Sequence, residues 1–462
     1  MRKKNRRKLF EKIEVLDAGA KGKTVAKAPD GRVIFLTNAV PGDVVDVQTT
    51  KQRKAFYEGT PIHFHELSSK RTTPKCQHFG VCGGCKWQHM SYEHQLAYKQ
   101  KEVTNNLIRL GHLELPEISP IIGSKKRYFY RNKMEFSFSN SRWLTLEEIN
   151  SDTEISDKNA LGFHIPGMWD KILDIEECHL QEEPSNTIRL AIKNFAVANK
   201  LDFYDPRAQE GLLRTVIVRI SSLGELMVVV QFFKDSPLER ELLLNFLKQE
   251  FPQITSLQYV INQKGNDTIY DQEVVCYHGR DHIFEEMEFY QTNSDQAYAL
   301  YQITRQFAGL TGEELVYDLY TGTGTIAQFI AKKAKKVIGI EAVPEAIADA
   351  KANAVHNKIT NCDFFVGDMK TVFNTEFLAT HGVPDVVITD PPRDGMHKLV
   401  VEQLLKVMPK QIVYVSCNSA TQARDLALMK AHYTIEKVQP VDMFPQTHHV
   451  ENIVLLRKID AK

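Results

Sequence analysis

The sequence has no long hydrophobic run. Its longest largely apolar stretch, Leu226–Phe233, is far short of the ~20 residues a bilayer-spanning helix needs, so no membrane partner is expected. A secretory signal is also missing. Met1–Phe10 is basic (Arg2, Lys3, Lys4, Arg6, Arg7, Lys8) but no apolar segment follows, and a cytoplasmic location is expected. Cysteine is sparse. Seven in 462 residues is an odd number, which argues against a disulfide framework and for metal-binding or catalytic thiols. Internal repeats and low-complexity tracts are absent, which excludes solenoid and fibrous architectures. Net charge is absent too, with 58 Lys+Arg against 58 Asp+Glu. That zero would argue against a nucleic-acid partner, but it is an average. Residues 1–73 hold 16 Lys+Arg against 8 Asp+Glu, and the remainder 42 against 50. A basic module on an acidic body is the reading that fits.

The chain has the 43% hydrophobic and 25% charged residues of an ordinary globular protein, and its length suggests about three domains. Residues 1–70 form the first, an OB-like β-barrel. Short apolar runs (Phe10–Leu16, Val33–Leu36, Val44–Val47) alternate with turns at Ala18-Gly19, Pro29-Asp30-Gly31 and Pro41-Gly42-Asp43. Its Lys51, Arg53, Lys54, Phe56 and Tyr57 interleave cations with aromatics, as phosphate and stacking contacts to RNA require. A generic barrel with a solvated basic face would read the same way. Residues 71–285 form a central α+β domain. It begins with three cysteines and a helix over 93–111, whose apolar positions are Leu96, Val103, Leu107 and Leu110 and whose stop is Gly111. Strands follow at Lys133–Ser139, Val216–Ile220, Met227–Phe233 and Leu257–Ile261, and the polar, acidic stretch Ser139–Asn159 reads as a surface insertion. Residues 286–462 alternate regularly. Seven strand-like runs (Leu315–Leu319, Lys336–Ile340, Phe364–Val366, Val386–Thr389, Ile412–Val415, Ile435–Val438, Ile453–Leu456) imply an open, doubly wound α/β sheet.

Ligands of such sheets bind beyond the carboxyl ends of the strands. Asp318-Leu319-Tyr320-Thr321-Gly322-Thr323-Gly324 follows the first strand and opens a helix, but lacks the third glycine of a dinucleotide site. Alone it could be a tight strand-to-helix turn. Glu341 ends the second strand, where a carboxylate can accept both ribose hydroxyls. Asp368 ends the third, placed for an exocyclic amine, and Asp390-Pro391-Pro392-Arg393 ends the fourth. The four ends together point to S-adenosylmethionine (SAM) rather than NAD.

Cys417 ends the fifth strand beside that cleft, and Glu451 starts the seventh. A buried cysteine is most often inert, but a thiol beside a helix N-terminus can act as a nucleophile. Uracil C5 is a poor nucleophile. Thiolate addition at C6 makes C5 enolate-like and able to take a methyl group, after which a base must remove the C5 proton. A base within a duplex would first have to be flipped out.

Asp390-Pro391-Pro392-Arg393-Asp394-Gly395, the run Ile412–Thr421 and the stretch Val441–Glu451, which fits Asp-x-Phe-Pro-x-Thr-x-His-x-Glu, resemble the RNA uracil-5-methyltransferase family. Through most of the chain the sequence is most similar to its iron–sulfur 23S rRNA members. The resemblance implies that Cys417 is the nucleophile and Glu451 the base. It also implies that Gln291 (in Phe289-Tyr290-Gln291-Thr292-Asn293), Tyr320, Gly322, Gly324, Thr325, Glu341, Asp368 and Asp390 line the SAM and uracil site. Asp390 would also read the uracil edge. The barrel resembles a TRAM domain, Arg131 would contact RNA, the helix near 88–117 would pack on the catalytic domain, and the enzyme would act on 23S rRNA as a monomer.

Cys76-x5-Cys82-x2-Cys85 with the distant Cys178 offers four soft thiolates, which by spacing suit zinc or an iron–sulfur cluster equally. The resemblance implies [4Fe-4S]. Cys276 and Cys362 read as structural. Three alternatives stay open: a tRNA uridine methyltransferase, an exocyclic-amine methylase that needs no nucleophilic cysteine, and a non-catalytic RNA-binding protein on a SAM fold.

Overall fold

The computed structural model describes residues 7–151, 155, 157–269, 271–282 and 291–459. The basic start through Arg6 and the pair Phe289-Tyr290 lie outside them, as does part of the acidic insertion. The rest of that insertion contains a short helix, Leu146–Ile149.

Five strands close a barrel at the amino end: β1 (Leu9–Ala18), β2 (Thr24–Lys27), β3 (Val33–Leu36), β4 (Val44–Gln52) and β5 (Phe56–Glu66), in the order β1-β2-β3-β5-β4. Strand alternation points Val15, Ile34, Leu36, Val45, Val47 and Tyr57 into its core.

The central sheet contains β6 (Lys133–Ser139), β7 (Ala160–Ile165), β8 (Met168–Asp174), β9 (Leu213–Ile220), β10 (Leu226–Phe232), β11 (Ile254–Ile261) and β12 (Val274–Gly279), ordered β12-β11-β10-β9-β6-β7-β8. The longest apolar run of the sequence is β10, buried at every position. Two covered faces explain why it reads as a continuous run rather than an alternation. The helices Ser185–Ala198 and Pro237–Glu250 supply Ile188, Ile192, Leu243 and Leu247 to this sheet's core.

Between barrel and central sheet runs helix α1 (Tyr92–Asn105), continued by a π-helical turn, Asn106–Leu110. Its Val103 and Leu107 are fully buried in the core of the third domain, beside Leu404, Leu426 and Met429. Leu110, expected on the same stripe, is 57% exposed. The wider π turn adds a residue per turn and rotates it outward.

The third sheet contains β13 (Leu315–Leu319), β14 (Lys336–Glu341), β15 (Cys362–Val366), β16 (Val386–Thr389), β17 (Gln411–Ser416), β18 (Tyr433–Val441) and β19 (Glu451–Lys458), ordered β15-β14-β13-β16-β17-β19-β18. Six strands run in one direction, and β19 inserts antiparallel between β17 and β18. Because β17 and β19 run in opposite directions, the end of one lies beside the start of the other, with Ser416 opposite Asn452. Cys417 and Glu451 are the next residues outward. Among the described residues, no helix is long and apolar enough to cross a membrane.

Candidate active site

The turn after β13 is built from left-handed backbone. Tyr320, Gly322 and Gly324 have φ of 62°, 56° and 80°. For Tyr320 this is a costly conformation of the kind found at binding sites. A Cβ on Gly322 would meet nothing within 4 Å, so its backbone faces open space, whereas one on Gly324 would lie 2.8 Å from the Phe364 ring. Gly322 therefore keeps the backbone approachable, and Gly324 permits close packing. Glu341 is tied to this turn: its carboxylate accepts from the N–H groups of Gly322 (3.2 Å), Ala342 (2.8 Å) and Val343 (3.1 Å). Thr325 opens the next helix, and its hydroxyl accepts from Tyr301 (3.2 Å). Asp368 caps a short helix and pairs with Lys370, whose N–H and ammonium hold its carboxyl below the usual range. Gln291 is part-buried, and its carbonyl accepts from Asn132 (3.0 Å).

Three carboxyls interact beneath this turn. Asp318 is buried, one oxygen accepting from Thr321 (2.5 Å) and Ala327 (3.1 Å) while Oδ1 has no partner among the described residues. Burial pushes it up to about 7. Burial and then the charge of Asp318 push Asp390 up to about 7, and burial with Asp390 pushes Glu451 up to about 8. Such a trio repels the pyrophosphate of a dinucleotide and favours a cation, such as the sulfonium of SAM.

Cys417 is part-buried at the helix whose cap is Asn418. Burial, then Glu451 and Asp390, push its thiol up to about 11, and Arg393 opposes them. Arg393 and Cys417 line a cleft of about 560 Å³ with His448, His449, Tyr98, Lys101, Glu102 and the barrel residues Ala18–Lys21. Burial holds His448 and His449 neutral, pushed down to about 3 and about 4. Sequence reasoning assigned no role to Arg393 or Asp318. Both stand inside motifs quoted for their neighbours, and only the folded arrangement sets their charges against Cys417 and Asp390.

The loop that carries both histidines and leads into Glu451 is gripped from outside its own domain. Lys99 of α1 donates to Asp442 (2.5 Å) and to the Phe444 carbonyl (3.1 Å), and Tyr92 donates to Asp442 (2.7 Å). Gln95 and Gln446 exchange two hydrogen bonds, each 3.0 Å. Lys86 and Trp87, directly after Cys85, both donate backbone N–H to the Gln446 carbonyl (2.9 and 3.0 Å).

Cys76, Cys82, Cys85 and Cys178 line one cavity of about 170 Å³, together with Arg131. Among the described residues, no three His, Cys, Asp or Glu side chains close on a position for a single metal ion. Burial and then their mutual charges push Cys85 up to about 12 and Cys178 up to about 11. Backbone N–H groups of Phe79, Gly84 and Leu180 favour the thiolates of Cys76, Cys82 and Cys178. Cys362 is part-buried, while Cys276 lies exposed on edge strand β12.

The proposed RNA contacts fall in two places. Lys51, Arg53 and Lys54 are clustered where β4 turns into β5. Lys51 shares Glu58 with Lys23, at 3.6 and 3.1 Å, while Arg53 and Lys54 are exposed. Arg131 lies apart from them, at the thiol-lined cavity.

Residues 260–459 match the model of the tRNA (uracil-5-)-methyltransferase family. An uncharacterized RNA methyltransferase of Bacteroides thetaiotaomicron is 57% identical over 450 residues, spanning 95% of this chain and 99% of that one. One from Porphyromonas gingivalis is 54% identical, spanning 96% and 99%. Among solved structures, the tRNA (uracil-54, C5)-methyltransferase of Pyrococcus abyssi, in complex with S-adenosyl-L-homocysteine, aligns with a TM-score of 0.73. It is 25% identical and covers 96% of this chain and 100% of its own. With the carboxyl-rich sheet edge and near-full-length relatives at more than half identity, the chain belongs to the SAM-dependent RNA uracil-5-methyltransferase family.

Proposed function

We propose that this protein methylates C5 of a uridine in 23S rRNA, acting as a cytoplasmic monomer. The observation that carries the chemistry is the β17/β19 register that sets Cys417 beside Glu451, with the charges of Asp390 and Arg393 acting on both. Cys417 adds its thiolate to C6, forming a C–S bond and moving the C5–C6 electron pair toward O4. Arg393 stabilises that thiolate. SAM, when bound by Gln291, Tyr320, Gly322, Gly324, Thr325, Glu341 and Asp368, supplies the methyl group to C5. Asp390 hydrogen-bonds the uracil edge. Glu451 then takes the C5 proton, the C6–S bond breaks, and the thiolate leaves. Once ionised, a carboxylate whose pKa is about 8 binds a proton more strongly than an ordinary glutamate, so turnover through it should rise as pH approaches 8.

Cys76, Cys82, Cys85 and Cys178 would hold a [4Fe-4S] cluster, and their common cavity and N–H···S contacts suit thiolate ligands. Methyl transfer moves no net electrons, so its contribution is structural. The barrel, read as a TRAM module, would grip RNA through Lys51, Arg53 and Lys54, with Arg131 nearer the target. The motif resemblance to iron–sulfur 23S rRNA members of the family, read from the sequence, supports rRNA. The tRNA enzyme of Pyrococcus abyssi, matched over 96% of this chain, favours a second reading, a tRNA substrate.

Unmodified 23S rRNA and tRNA transcripts incubated with methyl-labelled SAM separate the two, with 5-methyluridine mapped by nucleoside mass spectrometry. Label in 23S rRNA is expected, and label confined to tRNA overturns the substrate. Anaerobic purification should give about four irons per chain; stoichiometric zinc overturns the cluster.

A further inference from the structure

Helix α1 has two working faces. Tyr92, Gln95 and Lys99 hold the loop before Glu451. Tyr98, Lys101, Glu102 and Asn105, at helical spacing, line the cleft that contains Cys417. At about 560 Å³ this cleft falls in the range of pockets that take a nucleotide-sized ligand. Its walls offer Lys21, Lys101 and Arg393 for phosphates, and Lys101 also ties α1 to the barrel through Asp17 at 2.6 Å. Glu102 is the single carboxylate among the described lining residues. Its carboxyl has no hydrogen bond or ion pair among the described residues. Lys99, whose charge opposes the rise, is committed to Asp442, and burial pushes Glu102 up to about 7. The carboxyl oxygens open onto the cleft without a protein donor among the described residues, so a ligand that brings donors meets an acceptor with no competing partner there. The helix also ends here in a π turn, a distortion frequent at functional sites.

We propose that this cleft binds the RNA nucleotide adjoining the target uridine and that Glu102, with Asn105 one turn on, reads the donor edge of a guanine. Guanine presents N1–H and N2–H₂ side by side, the pair a carboxylate accepts together. Uracil presents one donor flanked by two acceptors. Single-stranded RNA is recognised through such exposed base edges, and a site built to accept hydrogen bonds rejects bases that lack the donors.

The subsite rests on the uridine methyltransferase reading, and one set of probes separates the two. Short oligoribonucleotides carry 5-fluorouridine with guanosine, inosine, adenosine or uridine on either side, and SAM is added for the adduct assay so that C5 is methylated and the C6–S bond cannot be released. Fluorescence anisotropy gives affinity, and denaturing gels give covalent adduct. The wild-type protein should bind a guanosine-flanked probe about 10-fold more tightly than a uridine-flanked one, with inosine between. Glu102→Gln, which keeps the side-chain volume, should abolish that preference. Equal affinities for all flanks, or a preference that survives Glu102→Gln, overturn the subsite. Adduct formed without flank preference sinks the subsite and leaves the chemistry standing. Flank preference without adduct supports the subsite and sinks Cys417 as nucleophile.

Discussion

The ammonium of Lys99 lies 2.5 Å from the carboxylate of Asp442, and neither side chain is exposed. One belongs to α1 and the other to the loop that delivers Glu451. Removing one member of a buried pair strands the other charge, which typically costs about 3–5 kcal/mol. Lys99→Met should lower stability by about that amount in urea denaturation. It should also lower kcat more than SAM affinity, because the glycine turn is held separately. A change within about 0.5 kcal/mol, as for a surface site, would remove the anchoring role.

Glu451→Gln keeps the shape of the base but cannot take a proton. Addition and methyl transfer should proceed and release should stall. Turnover should fall by about 10²–10⁴-fold, and methyl-labelled RNA should run attached to protein on a denaturing gel. Rapid turnover without adduct would assign proton removal elsewhere.

Arg393→Met removes the cation that opposes the rise of the Cys417 thiol. The pH dependence of its alkylation by iodoacetamide, followed by peptide mass spectrometry, should move upward from a midpoint near 11. An unmoved profile would show that the guanidinium does not act on the thiol.

The buried carboxyls give stability a pH slope of known sign. Folded Asp318 and Asp390 titrate near 7 and Glu451 near 8, against ordinary values of 3.8, 3.8 and 4.5. Between those limits the folded state binds more protons than the unfolded one. Their contribution is therefore complete below about pH 4 and is lost as pH rises toward 8. Thermal unfolding of the SAM-free protein should show a falling Tm across that window, with a shallower fall in Glu451→Gln. An identical slope in both would exclude Glu451 as a contributor.

Much of the architecture was legible because its signals are local. The seven strands of the third domain are short β-rich runs bounded by helices and turns, and each reappears near its expected place. The barrel followed from turn residues between brief apolar runs. The site was legible only in part. Cys417 and Glu451 stand 34 positions apart in the sequence, and the antiparallel insertion of β19 that makes them neighbours leaves no local mark. Arg393 was invisible because an arginine after Pro-Pro reads equally well as solvated charge. Glu102 and Lys99 sit three apart on one helix, yet the first faces the cleft and the second a buried acid. Only the neighbouring domain decides which is which. Leu110 was misplaced because periodicity assumes an uninterrupted α-helix.

The grip on the loop before Glu451 joins residues about three quarters of the chain apart: Lys99 to Asp442 across 343 positions and Gln95 to Gln446 across 351. Contacts of such separation form only after the whole span between them has been synthesised and collapsed. The general base is therefore set among the last elements of the fold. A ribosome-bound nascent chain, or a fragment holding only the third sheet, could build a SAM-shaped edge and still be chemically silent. Catalytic competence becomes a report that α1 has docked on the catalytic domain.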